Sequence, residues 1–465
     1  MNKNRLKYNK NSVQSIFEYA LKLTGKSLAE ATQLPEGVAN SRNRGDLGSL
    51  VEKYYFEHNP PNNHEPDFEE AGLELKTTGV KDYKKISKNG EKIAAKERLT
   101  LTTINYRTIH SEQWETSTLI HKCNLMLILL YRYNKEVPTA NQTFIFEPIL
   151  VSILESQLSQ SEKEIEFIVN KTFKISQDDL QTIKGDWELI REKIVNNKAH
   201  ELSEGDTYYL GAARKGSGGA KEKLKKQNDS DIGAKGRAFS FKQNFLTKLV
   251  QGHSKNFESL GVGIKLSFEE ATALKFKPFI GLSEDEIAKK LQYFTNSKSR
   301  KRLLANRILT RNGKKVLEFE KAGITLKTVA ISNRDNGREH MSFPAFISLE
   351  VANQEWEDSD FANQIEGKFL LVVFKEDENG VDRLIKVLYW NMPYEDRLEA
   401  QRVWNQARQY LVTGYGHLPK SSESRVAHVR PHAKNNKDFD INPQGEKVVK
   451  QCFWLNKSYI AKVVL

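Results

Sequence analysis

The sequence predicts an α/β protein that contains two tandem copies of one fold, the second of them catalytically degenerate. Length is the first reason, because 465 residues are too many for one ordinary hydrophobic core. The second reason is that short apolar runs typical of buried strands alternate with helical patterns along the chain. The third is an internal repeat, in which residues 67–78 return as residues 318–329.

The composition is that of a folded, basic protein. Hydrophobic residues make up 38% of the chain, and the net charge is +12 with a pI near 9.2. An excess of positive charge favours a polyanionic partner such as nucleic acid. Cys123 and Cys452 are too few for a disulfide framework and lack metal-ligand spacing, so we expect a reduced cytoplasmic protein with buried thiols.

No segment predicts a membrane protein. Residues 1–10 are polar and basic, and no apolar stretch follows them, so a signal peptide is not expected. The longest apolar run, residues 125–130, is far too short to cross a bilayer. It is interpreted as a central buried strand.

Two helices are predicted before residue 60. Apolar residues recur on one face of residues 12–31, which predicts the first helix. The second follows a polar loop at residues 39–46 and has Asp46 as its candidate N-cap. Glu52 lies beside the apolar stripe of this helix. Most such glutamates are solvated, but this one is close enough in sequence to reach the next motif.

The segment 66–77 carries the chemistry. Leu73 and Leu75 point to one side of a predicted strand, and Glu74 and Lys76 point to the other. Asp67 lies just upstream. Two acidic groups that converge on a divalent cation, with a lysine beside them, are what metal-assisted phosphodiester hydrolysis needs. The plainer alternative is an amphipathic strand with a salt-bridging Glu–Lys pair.

The rest of the first half alternates strands and helices. Strands are predicted at 96–106 and 124–131, and an apolar run at 143–155 follows. Ser176 is the candidate cap of a helix that runs to about Asn196. The Gly- and Lys-rich stretch 215–237 is either a solvated loop or a DNA contact, because glycines let phosphates approach closely and lysines neutralise them.

Several features recur in the same order in the second half. The sequence Trp-Glu-Thr-Ser at 114–117 returns as Trp-Glu-Asp-Ser at 356–359. The apolar strand returns at 369–374, and the helix with Trp187 returns as the helix with Trp404. Ala-His at 199–200 is matched to Ala-His at 427–428. Anchors in a fixed order predict two copies of one fold.

The second copy lacks what the chemistry needs. Glu74 becomes Thr325, and Lys122 becomes Gln364, each at the same offset from its anchor. Residues 298–315 carry eight cations and no acid. A solvated basic helix is one interpretation, and the complete lack of acids favours a phosphate-facing surface.

These residues resemble a known nuclease family. Pro-Asp at 66–67, followed after six residues by Glu-Leu-Lys, fits the PD-(D/E)XK nuclease core. Together with Trp-Glu-Thr-Ser and then His-Lys at 121–122, it is similar to the MutH-like endonucleases. These comprise a mismatch-repair nicking enzyme and type II restriction enzymes that cut at GATC. The resemblance implies two MutH-like domains, each with a mixed central sheet flanked by helices, the second degenerate.

The resemblance also implies roles for individual residues. The catalytic and metal-binding positions of the family fall on Glu52, Asp67, Glu74, Leu75, Lys76 and Lys122. Asp67, Glu74 and the carbonyl of Leu75 are expected to hold Mg²⁺, while Lys76 activates or orients the attacking water. Glu52 is expected to support Lys76 or a metal-bound water. Lys122 is expected near the scissile phosphate.

A base-reading element is implied where a Tyr-Leu strand runs into the basic loop. Lys215 fits the recognition lysine of the family, while Ala213 stands where the family has an arginine and Arg214 is adjacent. Gly216 and Arg237 complete the predicted DNA-binding set. A lysine or arginine that donates to guanine O6 and N7 is the usual way to read a G.

The predicted function is Mg²⁺-dependent cleavage of double-stranded DNA before the G of 5′-GATC-3′ by a type II restriction endonuclease. A MutH-type nicking enzyme and a non-catalytic DNA-binding regulator are the alternatives. Residues 1–255 are the predicted catalytic domain, 256–275 a linker, and 276–465 a degenerate DNA-binding or effector domain. One complete site per chain predicts that two chains meet on a palindrome, or that one chain nicks twice. The second copy is predicted to bind another GATC duplex.

Overall fold

The computed structural model describes residues 7–39, 47–58, 64–82, 93–154, 162–215, 224–251, 257–310, 313–432 and 438–465. The predicted cap Asp46 and the predicted DNA contact Gly216 lie outside these residues. Two compact units divide the chain. The first comprises Met1–Ala199, Tyr208–Lys215 and Leu224–Asn256, and the second comprises His200–Thr207, Gly216–Lys223 and Phe257–Leu465. Residues 200–207 are grouped with the second unit, so the two units are not separated at a single point in the sequence. The predicted domain limits stay predictions.

The first unit is a mixed α/β unit, as predicted. Its helices are α1 (Val13–Leu21), α2 (Leu28–Ala31), α3 (Glu36–Ala39), α4 (Leu47–Leu50), which continues as a π-helix (Val51–Tyr55), α5 (Thr118–Cys123), α6 (Glu162–Lys171), α7 (Gln177–Val195) and α8 (Gln243–Gln251). Its strands are β1 (Glu74–Asp82), β2 (Ile93–Ala95), β3 (Leu99–Thr103), β4 (Leu125–Arg132), β5 (Ile149–Ser152), β6 (Thr172–Lys174), β7 (Leu210–Arg214) and β8 (Arg237–Phe241).

Two sheets organise the first unit. The larger has the order β2-β1-β4-β5-β6, with β1 parallel to β4 and β4 antiparallel to β5. The smaller is antiparallel, with the order β3-β8-β7. Leu73 and Leu75 are buried with Leu127 of β4 and with Val51 in one hydrophobic core. The other side of β1 is therefore left for the polar residues, as the alternation predicts.

Local sequence signals explain where the helices begin and end. Ser176 caps α7 by accepting a hydrogen bond from the N–H of Asp179, and the helix ends with Asn196 as its C-cap, as predicted. The single helix predicted for residues 12–31 is wrong. Helix α1 ends at Leu21, and Ser27 starts a separate helix through a capping box with Glu30.

The second unit is also mixed α/β. Its helices are α9 (Phe268–Phe276), α10 (Glu284–Leu291), α11 (Arg300–Leu309), α12 (Leu317–Ala322), α13 (Ser348–Asn353), α14 (Asp360–Ile365), α15 (Tyr394–Thr413) and α16 (Lys457–Val464). Its strands are β9 (Phe257–Glu258), β10 (Lys315–Val316), β11 (Thr325–Ile331), β12 (Met341–Ser342), β13 (Phe369–Glu376), β14 (Asp382–Trp390), β15 (Ala427–Pro431), β16 (Phe439–Ile441), β17 (Lys447–Val449) and β18 (Gln451–Leu455).

The sheets of the second unit repeat the plan of the first. One has the order β11-β13-β14, with β11 parallel to β13 and β13 antiparallel to β14. Another has the antiparallel order β12-β18-β15, and β9–β10 and β16–β17 form two-stranded pairs. No helix in the described ranges is long and apolar enough to cross a bilayer.

The tryptophan anchors occupy matching places in the two units. Trp114 packs edge-on against Trp187 of α7 at 5.7 Å between ring centroids, and Trp356 packs against Trp404 of α15 at 5.7 Å. One predicted match is wrong. Ala-His at 427–428 begins β15, and the strand of the first unit in the same sheet position is β7. Ala-His at 199–200 does not lie in β7 but in a 3-10 turn. Two-residue matches carry too little information to fix an alignment.

Candidate active site

A tight turn brings the two predicted carboxylates together. Phe68 and Leu73 exchange backbone hydrogen bonds, and Gly72 closes the turn between them with a φ of +61°, which residues with a Cβ rarely adopt. Asp67 therefore lies beside Glu74, the first residue of β1. The six-residue gap in the motif is the length of this turn.

Backbone hydrogen bonds hold the two carboxylates in fixed positions. The N–H of Asp67 donates to Glu74 Oε2 at 3.0 Å, and the N–H of Leu75 donates to Asp67 Oδ2 at 3.0 Å. Both side chains are buried, with Glu74 1% and Asp67 6% exposed. Two acidic groups are thus fixed side by side in a place that water hardly reaches.

Two lysines neutralise this acidic pair. Lys76 Nζ lies 2.7 Å from Glu74 Oε1 and also donates to the carbonyl of Leu101 in β3 at 3.0 Å. Lys122 Nζ lies 3.6 Å from Glu74 Oε2 and donates to the carbonyl of Glu65 at 2.9 Å. The predicted Glu–Lys salt bridge is therefore present, but it lies inside a cluster that also contains Asp67 and Lys122.

Burial shifts the titration of the acidic pair. Burial is the main reason that the pKa values of Asp67 and Glu74 are raised. Repulsion from Glu52 raises the pKa of Asp67 further, and repulsion from Asp67 raises the pKa of Glu74 further. For Lys76, burial acts to lower the pKa, but the Cys123 and Glu74 side chains prevail and raise it. A raised pKa favours the ammonium form of Lys76, and this form can orient a water molecule.

Glu52, in the π-helical turn after α4, interacts electrostatically with the same cluster. Burial raises the pKa of Glu52, and Lys76, Glu74 and Lys122 also act on it. A π-helical turn shifts the direction of its side chains relative to an α-helix and is frequent at functional sites. The predicted second helix is confirmed here, but its irregular turn was not foreseen, because no sequence pattern distinguishes it.

The donor set fits Mg²⁺. This cation prefers oxygen ligands and usually keeps several waters beside one or two carboxylates. Asp67 and Glu74 supply two carboxylates one backbone turn apart. Within the described ranges, no group of three His, Cys, Asp or Glu side chains is placed to hold a metal ion, and the predicted role of Glu52 beside Lys76 or a metal-bound water stays a prediction. The metal-binding roles of Asp67, Glu74 and the Leu75 carbonyl stay predictions.

The predicted DNA-reading residues lie in the small sheet. Arg214 is the last residue of β7, and the exposed Lys215 after it donates to Thr103 Oγ1 at 2.7 Å. Arg237 is only 6% exposed and donates to the carbonyl of Ala212 at 2.7 Å. Its DNA contact stays a prediction, and burial argues for a role in supporting β7 instead.

Asp186 is a residue that sequence reasoning missed. It is 3% exposed in α7 and accepts backbone hydrogen bonds from Tyr208 at 2.7 Å, Tyr209 at 2.6 Å and Leu210 at 2.9 Å. These three residues lead into β7. The sequence did contain a signal for a buried Asp186, because this acid stands next to Trp187, which was predicted to point inward. A buried carboxylate requires hydrogen-bond partners.

Comparisons with known proteins agree with this geometry. Residues 56–166 match the family model described as DNA mismatch repair enzyme MutH. This span contains Asp67, Glu74, Lys76 and Lys122. The chain is also 32% identical over 487 aligned positions to the type II restriction enzyme Sau3AI of Staphylococcus aureus. That alignment covers 96% of the chain and 92% of the staphylococcal enzyme.

Proposed function

The chain belongs to the MutH-like type II restriction enzymes, and we propose that it hydrolyses double-stranded DNA at 5′-GATC-3′ with Mg²⁺, cutting before the G. A type II restriction enzyme is a site-specific deoxyribonuclease, so catalysis is part of the function. The similarity to a restriction enzyme extends over both units, whereas the mismatch-repair model matches only part of the first. This favours restriction over mismatch repair. A cytoplasmic location fits the composition and is part of the proposal.

One observation carries the proposal: the fixed pair of carboxylates with two ammonium groups beside it. Mg²⁺, when held by Asp67, Glu74 and the Leu75 carbonyl, neutralises phosphate charge and favours ionisation of a bound water. The Lys76 ammonium, anchored by the carbonyl of Leu101, orients the attacking water. Lys122, anchored by the carbonyl of Glu65, donates to the phosphate and stabilises the charge that develops there.

The small sheet is the proposed reading element. Lys215 lies at the exposed end of β7, and its neighbour Arg214 ends the strand. Either side chain has the donors that recognise guanine O6 and N7 in the major groove. The GATC sequence itself follows from the family resemblance.

The second unit is proposed to bind a second GATC duplex. It repeats the sheet plan of the first unit, but Thr325 stands where the first unit has Glu74. A unit that keeps the fold and loses one metal-binding carboxylate is suited to binding without cleavage. Since each chain then has one complete site, two chains are proposed to meet on a palindromic duplex to cut both strands.

Digestion of a plasmid of known sequence with Mg²⁺ tests the proposal. Wild type is compared with Glu74→Gln and with Glu70→Gln, which changes an exposed glutamate in the turn before β1. We expect double-strand ends before the G of GATC from wild type and Glu70→Gln, and none from Glu74→Gln. Ends at another sequence would overturn the specificity, and equal cutting by Glu74→Gln would overturn the site.

Plasmids with one and with two GATC sites test the second-duplex proposal. Binding of a second site by the second unit predicts faster cleavage of the two-site plasmid at equal site concentration. Equal rates on both plasmids would contradict it.

A further inference from the structure

The place in the second unit that corresponds to the catalytic centre has kept its lysine. Lys327 lies two residues into β11 and pairs with Leu371 of the parallel strand β13, as Lys76 pairs with Ile128 of β4. Lys327 Nζ donates to the carbonyl of Ser342 in β12 at 3.0 Å. Lys76 makes the equivalent bond to β3 in the first unit at 3.0 Å.

The carboxylates that neutralise the catalytic lysine have no equivalents around Lys327. Glu74 is replaced by the exposed Thr325. Glu318, the counterpart of Asp67, is turned to other partners, because its carboxylate accepts from the Ser259 hydroxyl and from the N–H of Leu260 at 2.9 Å. Among the residues that the structure describes, no carboxylate forms an ion pair with Lys327.

A second unpaired cation lies near this lysine. Arg302 belongs to α11, the helix that packs against β11, and forms no ion pair with a residue in the described ranges; its charge acts on Lys327. Its helix neighbours differ, because Arg300 lies 2.6 Å from Asp285 and Lys301 lies 2.7 Å from Glu284. The basic stretch predicted from the sequence is thus partly neutralised by acids from elsewhere, and Arg302 is one of the charges that are left over.

A third cation approaches from the small sheet. Arg430 of β15 pairs in register with Cys452 of β18, and its guanidinium lies over the ring of Trp454 at 5.2 Å. Trp454 pairs in register with Ser342, whose carbonyl accepts from Lys327, so the Arg430 guanidinium lies over the register neighbour of the Lys327 acceptor. The three cations therefore come from β11, from α11, which packs against it, and from β15 of the sheet that Lys327 contacts.

An unpaired, partly buried ammonium is unfavourable, because burial removes water that would solvate its charge. In agreement, burial and the charge of Arg302 lower the pKa of Lys327. Lys327 has the Ser342 carbonyl and the ring of Phe343, 5.4 Å from Nζ, as partners but no negative charge, so an anion is the group that complements it. Phosphate oxygens accept hydrogen bonds from lysine and arginine strongly.

We propose that Lys327, Arg302 and Arg430 form a phosphate-binding site for the backbone of the DNA duplex that the second unit holds. The bound phosphate occupies the position that corresponds to the scissile phosphate of the first unit. In this proposal, the part of the second unit that corresponds to the catalytic centre binds DNA and does not cleave it. This inference rests on the proposed binding of a second duplex by the second unit.

The experiment uses the full chain with Glu74→Gln, which prevents cleavage, and titrates it with a short duplex that contains one GATC site. Calorimetry gives the number of duplexes bound per chain, and salt titration gives the slope of log K against log salt. Lys327→Met is added to this background, with Lys375→Met as the matched control, because Lys375 is already paired with Asp335 at 2.6 Å.

We expect two duplexes per chain in the parent background. Lys327→Met should weaken the second binding event by roughly tenfold or more and lower its salt slope by about one. Its thermal unfolding temperature should stay equal or rise, because an unpaired charge is removed. Lys375→Met should leave both binding events unchanged. Arg302→Gln, an exposed change, should weaken the second event in the same direction and without loss of stability.

The outcomes distinguish the proposed binding of a second duplex from the proposed phosphate site. One duplex per chain in the parent background would remove the second-duplex proposal and this inference with it. Two duplexes with unchanged affinity and salt slope in Lys327→Met and Arg302→Gln would refute the phosphate site alone. Weaker binding accompanied by a lower unfolding temperature in both variants would show a structural role and also refute it.

Discussion

Asp186→Asn is expected to change how the stability of the first unit depends on pH. Burial raises the pKa of Asp186 to about 6 and outweighs the opposing effects of Lys242 and of the three N–H donors that lead into β7. The ordinary value for this side chain is 3.8. The folded protein therefore keeps the proton up to a higher pH than the unfolded chain does.

The sign and size of the effect follow from this difference. Asp186 contributes stability that is fully present below pH 3.8 and is lost as the pH rises through about 6. The two pKa values differ by an amount that corresponds to about 3 kcal/mol, of which about 2 kcal/mol falls between pH 4.5 and pH 7. Asparagine does not titrate, so the variant lacks this loss.

Urea unfolding of both proteins at several pH values between 4.5 and 7 measures the effect, with hydrogen exchange of the peptide 208–214 as a local readout. The stability of wild type relative to Asp186→Asn should fall by about 2 kcal/mol across this range. Any constant cost of the substitution, such as a lost acceptor for a buried N–H, cancels in the comparison. Parallel curves for the two proteins would refute the reasoning.

Three other substitutions test separate parts of the structure. Gly79→Ala should lower the free energy of unfolding by about 1–3 kcal/mol in chemical denaturation, because the new Cβ would stand 3.1 Å from the ring of Tyr131. Lys122→Met should slow single-turnover cleavage by roughly a hundredfold or more while DNA stays bound, because it removes one ammonium from the site of Glu74. His428→Gln should make unfolding less sensitive to acid, because burial lowers the pKa of His428 to about 4. The stability that His428 contributes is present above pH 6.5 and is lost as the pH falls toward 4, which thermal unfolding measures.

Each of these predictions has a clear contrary result. Gly185→Ala in α7 is the control for Gly79→Ala, because nothing lies within 4 Å of its added Cβ, and equal stability of the two variants would contradict the packing argument. A full cleavage rate for Lys122→Met would remove this lysine from the chemistry. His417→Gln, an exposed change, is the control for His428→Gln, and equal acid sensitivity of the two would contradict the burial argument.

Much of the fold was available from local patterns. The alternation of Leu73 and Leu75 with Glu74 and Lys76 placed β1 and its two faces correctly, because strand periodicity depends only on the order of residues. The helix after Ser176 was predicted to within a residue, because capping is a local hydrogen bond. The helix predicted at 12–31 failed because a second capping signal inside it competes with its apolar periodicity.

The residues of the candidate site could be predicted from the sequence, but their burial and their contacts could not. The motif named Asp67, Glu74 and Lys76, yet only the fold shows that both carboxylates are buried and that Lys122 reaches them from α5. Arg237 is predicted to contact DNA because it is basic and follows a basic loop, and only the fold shows that its side chain is buried against β7. Asp186 could not be assigned a partner, since its donors lie more than 20 residues away in sequence.

The sequence by itself predicted the two-copy plan and the position of Thr325 opposite Glu74 in the repeat, and it determined the strand that carries Glu74. These are matters of order and spacing along one chain, which local backbone geometry translates directly. The tertiary structure decided which charges have partners. Lys76 and Lys327 occupy matching strand positions, but Lys76 forms an ion pair with Glu74, whereas Lys327 contacts a carbonyl and an aromatic ring and forms no ion pair with a described carboxylate. Burial and charge pairing depend on residues that are distant in sequence, so only the folded chain distinguishes the proposed cutting site from the proposed DNA-holding site.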